Sequence, residues 1–381
     1  MAQASGGHEG EGEKFNASKT IIEHIADAHS IHLFGHVSLP LPCIVKTEKG
    51  FDFFMSSAFM DEHHAPSKIY KSTSTGNAYV MVDEQIRVLT AEEVAHWGMP
   101  VSSGSEVHVD TTLQTHHDGH ASAEVPVEEK AHDKPGRAVA DFSLTKSVVG
   151  MMLILALVSF MFIRVAKAYQ KRAGMAPKGM QNFLEPLVLF IKDEVAIPAL
   201  GPKRAKKFLP FLLTVFFFIW ACNLLGLVPF LGGFNITGTL SITLVLAALV
   251  FIITTVNGNA HYWGHIVWPP GVPLPIKFIL VPIEILSVFM KPAVLMIRLT
   301  ANINAGRIII LSFTSLIFIF KESHGTGVAL GIGVFSALFM IFMFLIELLV
   351  AFLQAYVFTL LAALYFGDAT QEHHHEEAAH H

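Results

Sequence analysis

The sequence predicts an all-α polytopic membrane protein of about five transmembrane helices, the last two long, tilted and forming an antiparallel hairpin, preceded by a small soluble N-terminal domain that contains β-strands. Three observations carry this. The 381-residue chain is 52% hydrophobic, too apolar for a soluble protein and long enough for two compact parts. No Asp, Glu, Lys or Arg occurs between residues 208 and 276, which leaves room for two spans. Charge is divided along the chain: residues 1–140 hold 20 acidic and 10 basic side chains, whereas residues 141–381 hold 11 and 16. The acidic part belongs in water and the basic part in lipid. The two cysteines, Cys43 and Cys222, lie one in each part and supply neither a disulfide framework nor a thiolate metal site.

Residues 1–20 are polar and Gly-rich and lack the apolar core, about 7–15 residues long, of a signal peptide. The opening Ala2-Gln3-Ala4 resembles the tail of a small-residue cleavage site, which leaves open a start inside or after a signal sequence. Within residues 1–101, the runs HLFGHVSLPLPCIVKT, GFDFFMSSAF and NAYVMVDEQIRVL set aromatic and β-branched residues between Gly, Pro and Asn breakers. They predict a small β-rich region over 31–101 with one helical turn near 91–96. Residues 102–141, rich in Ser, His, Glu and Gly, read as a linker. Thirteen of the 21 histidines fall in the first 140 residues, among them His63, His64, His116, His117 and His120. Having no fixed spacing, they read as solvent-exposed side chains ahead of a metal-binding or proton-buffering role. The tail, 369–381, contains Glu372, His373, His374 and His375 without HExxH order and reads as an adventitious metal binder. No metal site and no cofactor is expected.

The membrane domain is placed at residues 142–368. Its first span, 146–163, is just long enough for a hydrocarbon core of about 30 Å. Arg164, Lys167, Lys171, Arg172 and Lys178 follow it, and Lys203, Arg204, Lys206 and Lys207 precede the next span. That loop therefore belongs in the cytoplasm and the acidic N-terminal domain outside. Within the loop, residues 182–199 alternate at helical spacing between Pro186 and Pro198, which predicts a helix on the membrane surface. The charge-free stretch breaks at Pro229 and Gly232-Gly233 into an outgoing span, 208–228, and a returning one, 236–256. Residues 257–275 carry Trp263, Trp268 and several prolines, the mark of an interfacial cytoplasmic loop. The last two helices cover 277–320 and about 328–366. The first would be about 66 Å long, about twice what a perpendicular span needs, so it is tilted, bent at Pro282 or Pro292, or partly parallel to the membrane. Only the short KESHG separates the two, which makes them an antiparallel hairpin and leaves the C-terminus in the cytoplasm.

On the first of these helices Lys277, Glu284, Lys291 and Arg298 recur every seventh residue. Each drifts only about 20° from the last, so they form one charged stripe on an apolar helix. The second helix carries one formal charge, Glu347, with Gln354 seven residues later. An arginine in lipid costs about 3 to more than 10 kcal/mol, so Arg298, about 30 Å along the helix from Lys277, is a functional candidate ahead of a snorkelling one. A guanidinium does not relay protons; it attracts a carboxylate, keeps it ionised and blocks leakage. Glu284 and Glu347 are candidates for proton exchange, or for salt bridges, Glu284 with Lys277 or Lys291 and Glu347 with Arg307. Asn302, one turn beyond Arg298, and Asn223, Asn235 and Gln354 each suit an interhelical hydrogen bond. Together they favour a hydrated path. There is no GxxxxGK[ST] loop, hence no nucleotide site of the chain's own, and nothing that points to nucleic acid. A stand-alone ion-coupled secondary transporter is the alternative; neither repeated halves nor paired interrupted helices speak for it.

The run MIRLTANINAG at 296–306 resembles the arginine-centred signature of the F-type ATP synthase subunit a family. The resemblance extends through KPAVLMIRL, NLLGLVPF (223–230), NITGTLS (235–241) and ELLVAFLQAYVF (347–358) and covers about residues 142–368, leaving the long N-terminal part outside. It implies a stator subunit of the Fo proton channel in a bacterial plasma membrane, assembled with the c-ring and the subunit b peripheral stalk, and part of an enzyme only within that complex. It further implies that Arg298 faces the rotating ring and engages its proton-carrying carboxylate, with Gln354 beside it, and that two offset half-channels meet the ring on either side. Glu284 matches the family's upstream glutamate, Asn302 the asparagine after the arginine, and Glu347 a position where members carry Glu or His. One departure stands out: Arg307 occupies a place where the family usually has Glu or His. In an antiparallel hairpin Arg307, about 13.5 Å beyond Arg298, and Glu347, about 10.5 Å before Gln354, reach similar depth. They are expected to meet, either as a plain ion pair or with Arg307 holding Glu347 ionised.

Overall fold

The structure, a computed structural model, describes residues 27–34, 37–59, 68–82, 84–97, 101–103, 136–171, 174–228, 234–269, 272–324 and 326–371. The 1–20 leader, His63, His64, His116, His117, His120, the Pro229 and Gly232-Gly233 break and the tail from Glu372 lie outside the described residues. The chain divides into two compact units, one built on Asp27–Val149 and the other on Gly150–Pro229 and Gly233–His381.

The N-terminal unit is β-rich, as its sequence predicts. Its described strands are β1 (Ser30–Phe34), β2 (Val37–Pro40), β3 (Pro42–Thr47), β4 (Gly50–Met55), β5 (Ile69–Lys71), β6 (Ala78–Val82), β7 (Gln85–Leu89), β8 (Val101–Ser103), β9 (Arg137–Ala138) and β10 (Ala140–Asp141), with a 3-10 turn (Ser56–Phe59) and a short α-helix, α1 (Ala91–Trp97). The last residues of the stretch read as linker are thus strand. They form sheets of order β1-β2, β10-β3-β4 and β8-β5-β6-β7-β9. Strands β3 and β4 form a hairpin with Val45 opposite Asp52 and Cys43 opposite Phe54. Because side chains alternate between faces, Cys43 and Val45 point inward with Phe59, Tyr70, Tyr79, Met81 and Ile86 to make one core. Ile69, Val80 and Leu89, on the opposite face of the five-stranded sheet, pack with Val94 of α1.

Two buried polar groups are built into this unit. The Asp52 carboxylate accepts hydrogen bonds from Ser72 Oγ (2.5 Å), Thr75 Oγ1 (2.5 Å), Tyr79 OH (2.5 Å) and Ser74 Oγ. Burial alone would raise its pKa, but the four hydroxyls outweigh burial and hold it below the usual carboxylate range. His29 is buried with Nε2 3.1 Å from Asp141 Oδ2 and Nδ1 3.9 Å from Glu84 Oε2. Burial lowers the imidazole pKa, and the hydrogen bonds and charges of Asp141 and Glu84 overcome it, raising it to about 9. A pKa raised on folding stabilises the native state fully below the unfolded value of about 6.5, and this stabilisation is lost as pH rises through about 9. Urea-midpoint proteolysis of this unit in the full chain should therefore show a loss on the order of 3 kcal/mol between pH 7 and pH 10 that is absent in His29→Gln. An equal loss in both chains would remove His29 as its source.

The second unit holds the long helices: α2 (Lys146–Lys171, whose first four residues belong to the N-terminal unit), α3 (Met180–Phe190), a π-helical turn (Ile191–Ala196), α4 (Ile197–Leu227), α5 (Leu240–Asn257), α6 (Ala260–Val267), α7 (Leu274–His324) and α8 (Thr326–Thr370). Among the described residues five segments are long and apolar enough to cross a membrane, and the chain is a multi-pass membrane protein. Large apolar side chains such as Val334, Leu338, Ile341 and Leu345 stay exposed on α8, as lipid contact requires. The helix expected over 182–199 is present as α3, the π-helical turn and the start of α4, and with the next span it makes up the apolar segment Met180–Leu227, whose kink at Gly201 (φ 75, ψ 160), a left-handed conformation suited to glycine, falls between the two parts the sequence separates. Phe190, at the end of α3, packs against Phe352 and Tyr356 of α8.

Helix α7 continues through both Pro282 and Pro292. Its 51 residues give an axial length of about 76 Å, well beyond one perpendicular span. Helices α7 and α8 run antiparallel, as predicted: Lys291 meets Asp368, Asn302 meets Gln354, and Phe313 meets Phe339, so partners fall in number as α7 advances.

Candidate functional site

The six polar candidates sit on α7 and α8, and the hairpin brings most of them together. Asn302 Nδ2 donates to Gln354 Oε1 at 3.0 Å, joining the helices one turn from Arg298. Gln354 is buried, whereas Arg298 is exposed on the outer surface of α7. Among the described residues Arg298 has no ion-pair partner within 4 Å. Glu284, half-buried, lies fourteen residues earlier, about 21 Å along the axis, apart from the rest. The salt bridges expected for it do not form among the described residues: Lys277 Nζ stands 4.0 Å above the Trp268 ring, and Lys291 Nζ lies 3.6 Å from Asp368 Oδ2 and above the Tyr365 ring.

Arg307 and Glu347 do approach one cavity. It holds about 30 Å³ and is lined by both, together with Asn223, Thr237, Asn302 and Cys222. A volume of that size takes a water molecule or two, given polar partners. Arg307 Nη2 donates to Gly226 O (3.0 Å) at the end of α4 and to Phe234 O (2.5 Å) in the following connection. The guanidinium thereby satisfies one carbonyl that the end of α4 leaves unpaired and one in the connection that follows. Two glycines make the space. A Cβ at Gly226 would lie 2.7 Å from Arg307 Nη2, and one at Gly306 would collide with Glu347 Oε1. Any larger residue at these positions displaces a charged side chain.

A polar seam extends from the cavity. Thr237 Oγ1 donates to Asn223 Oδ1 (2.6 Å), and Asn223 Nδ2 to Ala351 O (3.1 Å). Asn235 Nδ2 donates to Asn304 Oδ1 (3.0 Å), Asn304 Nδ2 to Gly238 O (3.1 Å), and the Thr243 and Thr300 hydroxyls lie 2.7 Å apart. Asn223, Asn235 and Gln354 were expected as interhelical partners: Asn223 and Gln354 join helices, whereas Asn235 ties the connection before α5 to α7. Thr237, Asn304, Thr300, Gly226 and Gly306 escaped sequence reasoning. The signal available was the spacing of Asn302 and Asn304, which places them about 200° apart on α7 and hence against different neighbours. Among the described residues, no group of three His, Cys, Asp or Glu side chains is placed to hold a metal ion.

Residues 149–367 match the family described as ATP synthase A chain, and residues 20–111 match a Domain of unknown function (DUF8433). A protein of Chlorobaculum tepidum named ATP synthase subunit a 2 is 41% identical over 304 residues, covering 71% of this chain and 83% of its own length. The proteins named ATP synthase subunit a of Chloroherpeton thalassium and of Chlorobium phaeobacteroides are 41% and 42% identical over 244 and 251 residues, each covering 63% of this chain and 70% of its own.

Proposed function

The chain belongs to the ATP synthase A chain family, and we propose that it is the proton-translocating stator subunit of an F-type ATP synthase, with Arg298 as the fixed cation that the ring's proton-carrying carboxylates must pass. The observation that carries this reading is an arginine deep in an apolar helix, exposed on the bundle's outer surface and without an ion-pair partner among the described residues. Such a charge is costly in lipid unless a carboxylate outside the chain meets it. A carboxylate that reaches Arg298 is favoured as an anion, so it releases its proton before passing and takes up another afterwards. Rotation then becomes the conducting route.

Two half-channels deliver and remove the protons. One runs past Glu347, the cavity beside it and the Asn223–Thr237 pair; Glu284 lines a second region about 21 Å from Arg298 along α7. Arg307 anchors the break between α4 and α5 and sets the charge beside Glu347, while Asn302 and Gln354 fix the hairpin next to Arg298. The partners are the c-ring and the subunit b peripheral stalk. The basic residues between the first two spans support a bacterial plasma membrane with the N-terminal domain outside and the C-terminus in the cytoplasm.

Affinity purification of the full chain from its own membranes tests the role: a c-ring is expected to co-purify, and a monodisperse chain without one would refute it. Within that complex, Glu347→Ala should cut ATP-driven proton pumping at least about tenfold, as loss of a proton-exchanging group does. Arg307→His, which keeps a donor for Gly226 O, should retain more activity. The reverse order in a vesicle pumping assay would assign the essential role to Arg307.

A further inference from the structure

We propose that the outer face of the three-stranded sheet β10-β3-β4 is a lipid-docking surface that rests on the membrane around the first span. The sheet's register shows what that face contains. Ala140, Lys46 and Phe51 form one row across the three strands. The hydrogen bonds Phe142 N to Ile44 O (2.8 Å) and Leu144 N to Pro42 O (3.1 Å) continue the pairing, and they add a row of Phe142, Ile44 and Phe53 and a row of Leu144, Pro42 and Met55. The opposite face carries Cys43, Val45 and Asp52 into the core. Eight of the nine outward positions are therefore uncharged and apolar, and the aromatic ones are open: Phe51 is 51%, Phe53 70% and Phe142 61% exposed. A contiguous apolar surface of this kind marks an interaction site.

The occupant follows from where the face ends along the chain. Leu144 stands two residues before Lys146, where the 26-residue first span begins, so Leu144, at one end of the row Leu144, Pro42, Met55, lies within about 7 Å of the span's first residue. That distance is the depth of the headgroup layer, which adds about 5–7 Å to each side of the hydrocarbon core. The attachment is short and tied: Lys146 N donates to Ala28 O (2.9 Å) and Ser147 N to Asp27 Oδ1 (3.0 Å), so the helix start is hydrogen-bonded into the same compact unit as the sheet. A protein partner on this row would have to displace lipid. The one charge, Lys46, sits in the row farthest from the span with Nζ 5.5 Å from the Phe51 ring, where its stem covers apolar surface and its ammonium reaches water or a lipid phosphate.

This proposal does not depend on proton transport, and its test does not read pumping. The full chain in its purified complex is reconstituted into phosphatidylethanolamine/phosphatidylglycerol vesicles containing acyl-chain nitroxide lipid. Phe53→Cys, Phe142→Cys and, as a control on the other sheet, Gln85→Cys are each labelled with a polarity-sensitive fluorophore. Cys43 and Cys222 are buried, and the unsubstituted chain serves as the labelling blank. The labels at 53 and 142 should be quenched at least about twofold more by nitroxide lipid, and less by aqueous iodide, than the label at 85. Iodide quenching equal to that at 85 would place the face in water, and protection from both quenchers would place a protein on it; either result overturns the proposal.

Discussion

Arg298→Ala abolishes ATP-driven proton pumping in inverted membrane vesicles, to the level of uninhibited leak, while the complex remains assembled. The two halves of this expectation have different causes. On the proposed role, removing the guanidinium takes away the fixed charge that makes a passing carboxylate ionise, so nothing would oblige the ring to exchange protons as it turns. Assembly survives because Arg298 lies on the exposed face of α7 and makes no ion pair within the described chain; the α7–α8 seam is held instead by Asn302 with Gln354 and by Phe313 against Phe339. Alanine there also removes a desolvation cost of several kcal/mol. Arg298→Lys should give partial coupling, because a compact ammonium keeps the charge and loses the planar fork. Pumping at the unsubstituted rate by the alanine variant, with the complex intact, would sink the proposed role.

The helical membrane part and the hairpin were legible because lipid imposes a strong pattern: long apolar runs, basic flanks, and charges that recur every seventh residue in the stripe ending at Arg298. The N-terminal strands were legible from runs such as GFDFFM, which became β4, but residues 137–141 were not read as strand. Two two-residue strands, Arg137–Ala138 and Ala140–Asp141, are too short to show a period, and their pairing with β7 and β3 is decided by sequence-distant partners. The Met180–Leu227 segment was read as two helices, and its kink at Gly201 falls between them. What was not legible there is the contact of Phe190 with Phe352 and Tyr356 of α8, which no local pattern records.

The site divides in the same way. Arg298, Glu347, Gln354 and Asn302 announce themselves because a polar side chain in an apolar run is costly, and cost points to use. What Arg307 binds was not legible. Depth counting brought it level with Glu347, and both do line one cavity, but its hydrogen bonds to Gly226 O and Phe234 O depend on how the α4–α5 connection returns to α7. Gly226 and Gly306 were equally silent, since a glycine in an apolar helix signals close approach only when the approaching charge is known. Sequence displays single residues whose burial is expensive; pairing between distant segments needs the fold.

Asp52→Ala should destabilise the N-terminal unit by about 3–5 kcal/mol, the scale expected when removal of one partner leaves buried polar groups unpaired. The carboxylate is buried on β4, an edge strand of the hairpin sheet, and accepts from Ser72, Ser74, Thr75 and Tyr79, hydroxyls that come from β6 and the turn between β5 and β6. It therefore joins the two larger sheets at a point where no apolar side chain could satisfy four donors. Alanine strands those donors and opens a cavity in the core beside Tyr79. Asp52→Asn keeps the volume and one acceptor oxygen and should cost clearly less. The pH dependence has a definite sign: the folded pKa is depressed, so this stabilisation is present above the ordinary carboxylate range near pH 4 and is lost as pH falls through the lower folded value. Urea-midpoint proteolysis of the full chain at neutral pH, reading cleavage within the N-terminal unit, measures the difference. An unchanged midpoint for the alanine variant would mean that the four hydroxyls find other acceptors, and that the apolar cluster around Phe59 and Tyr70 suffices to join the sheets.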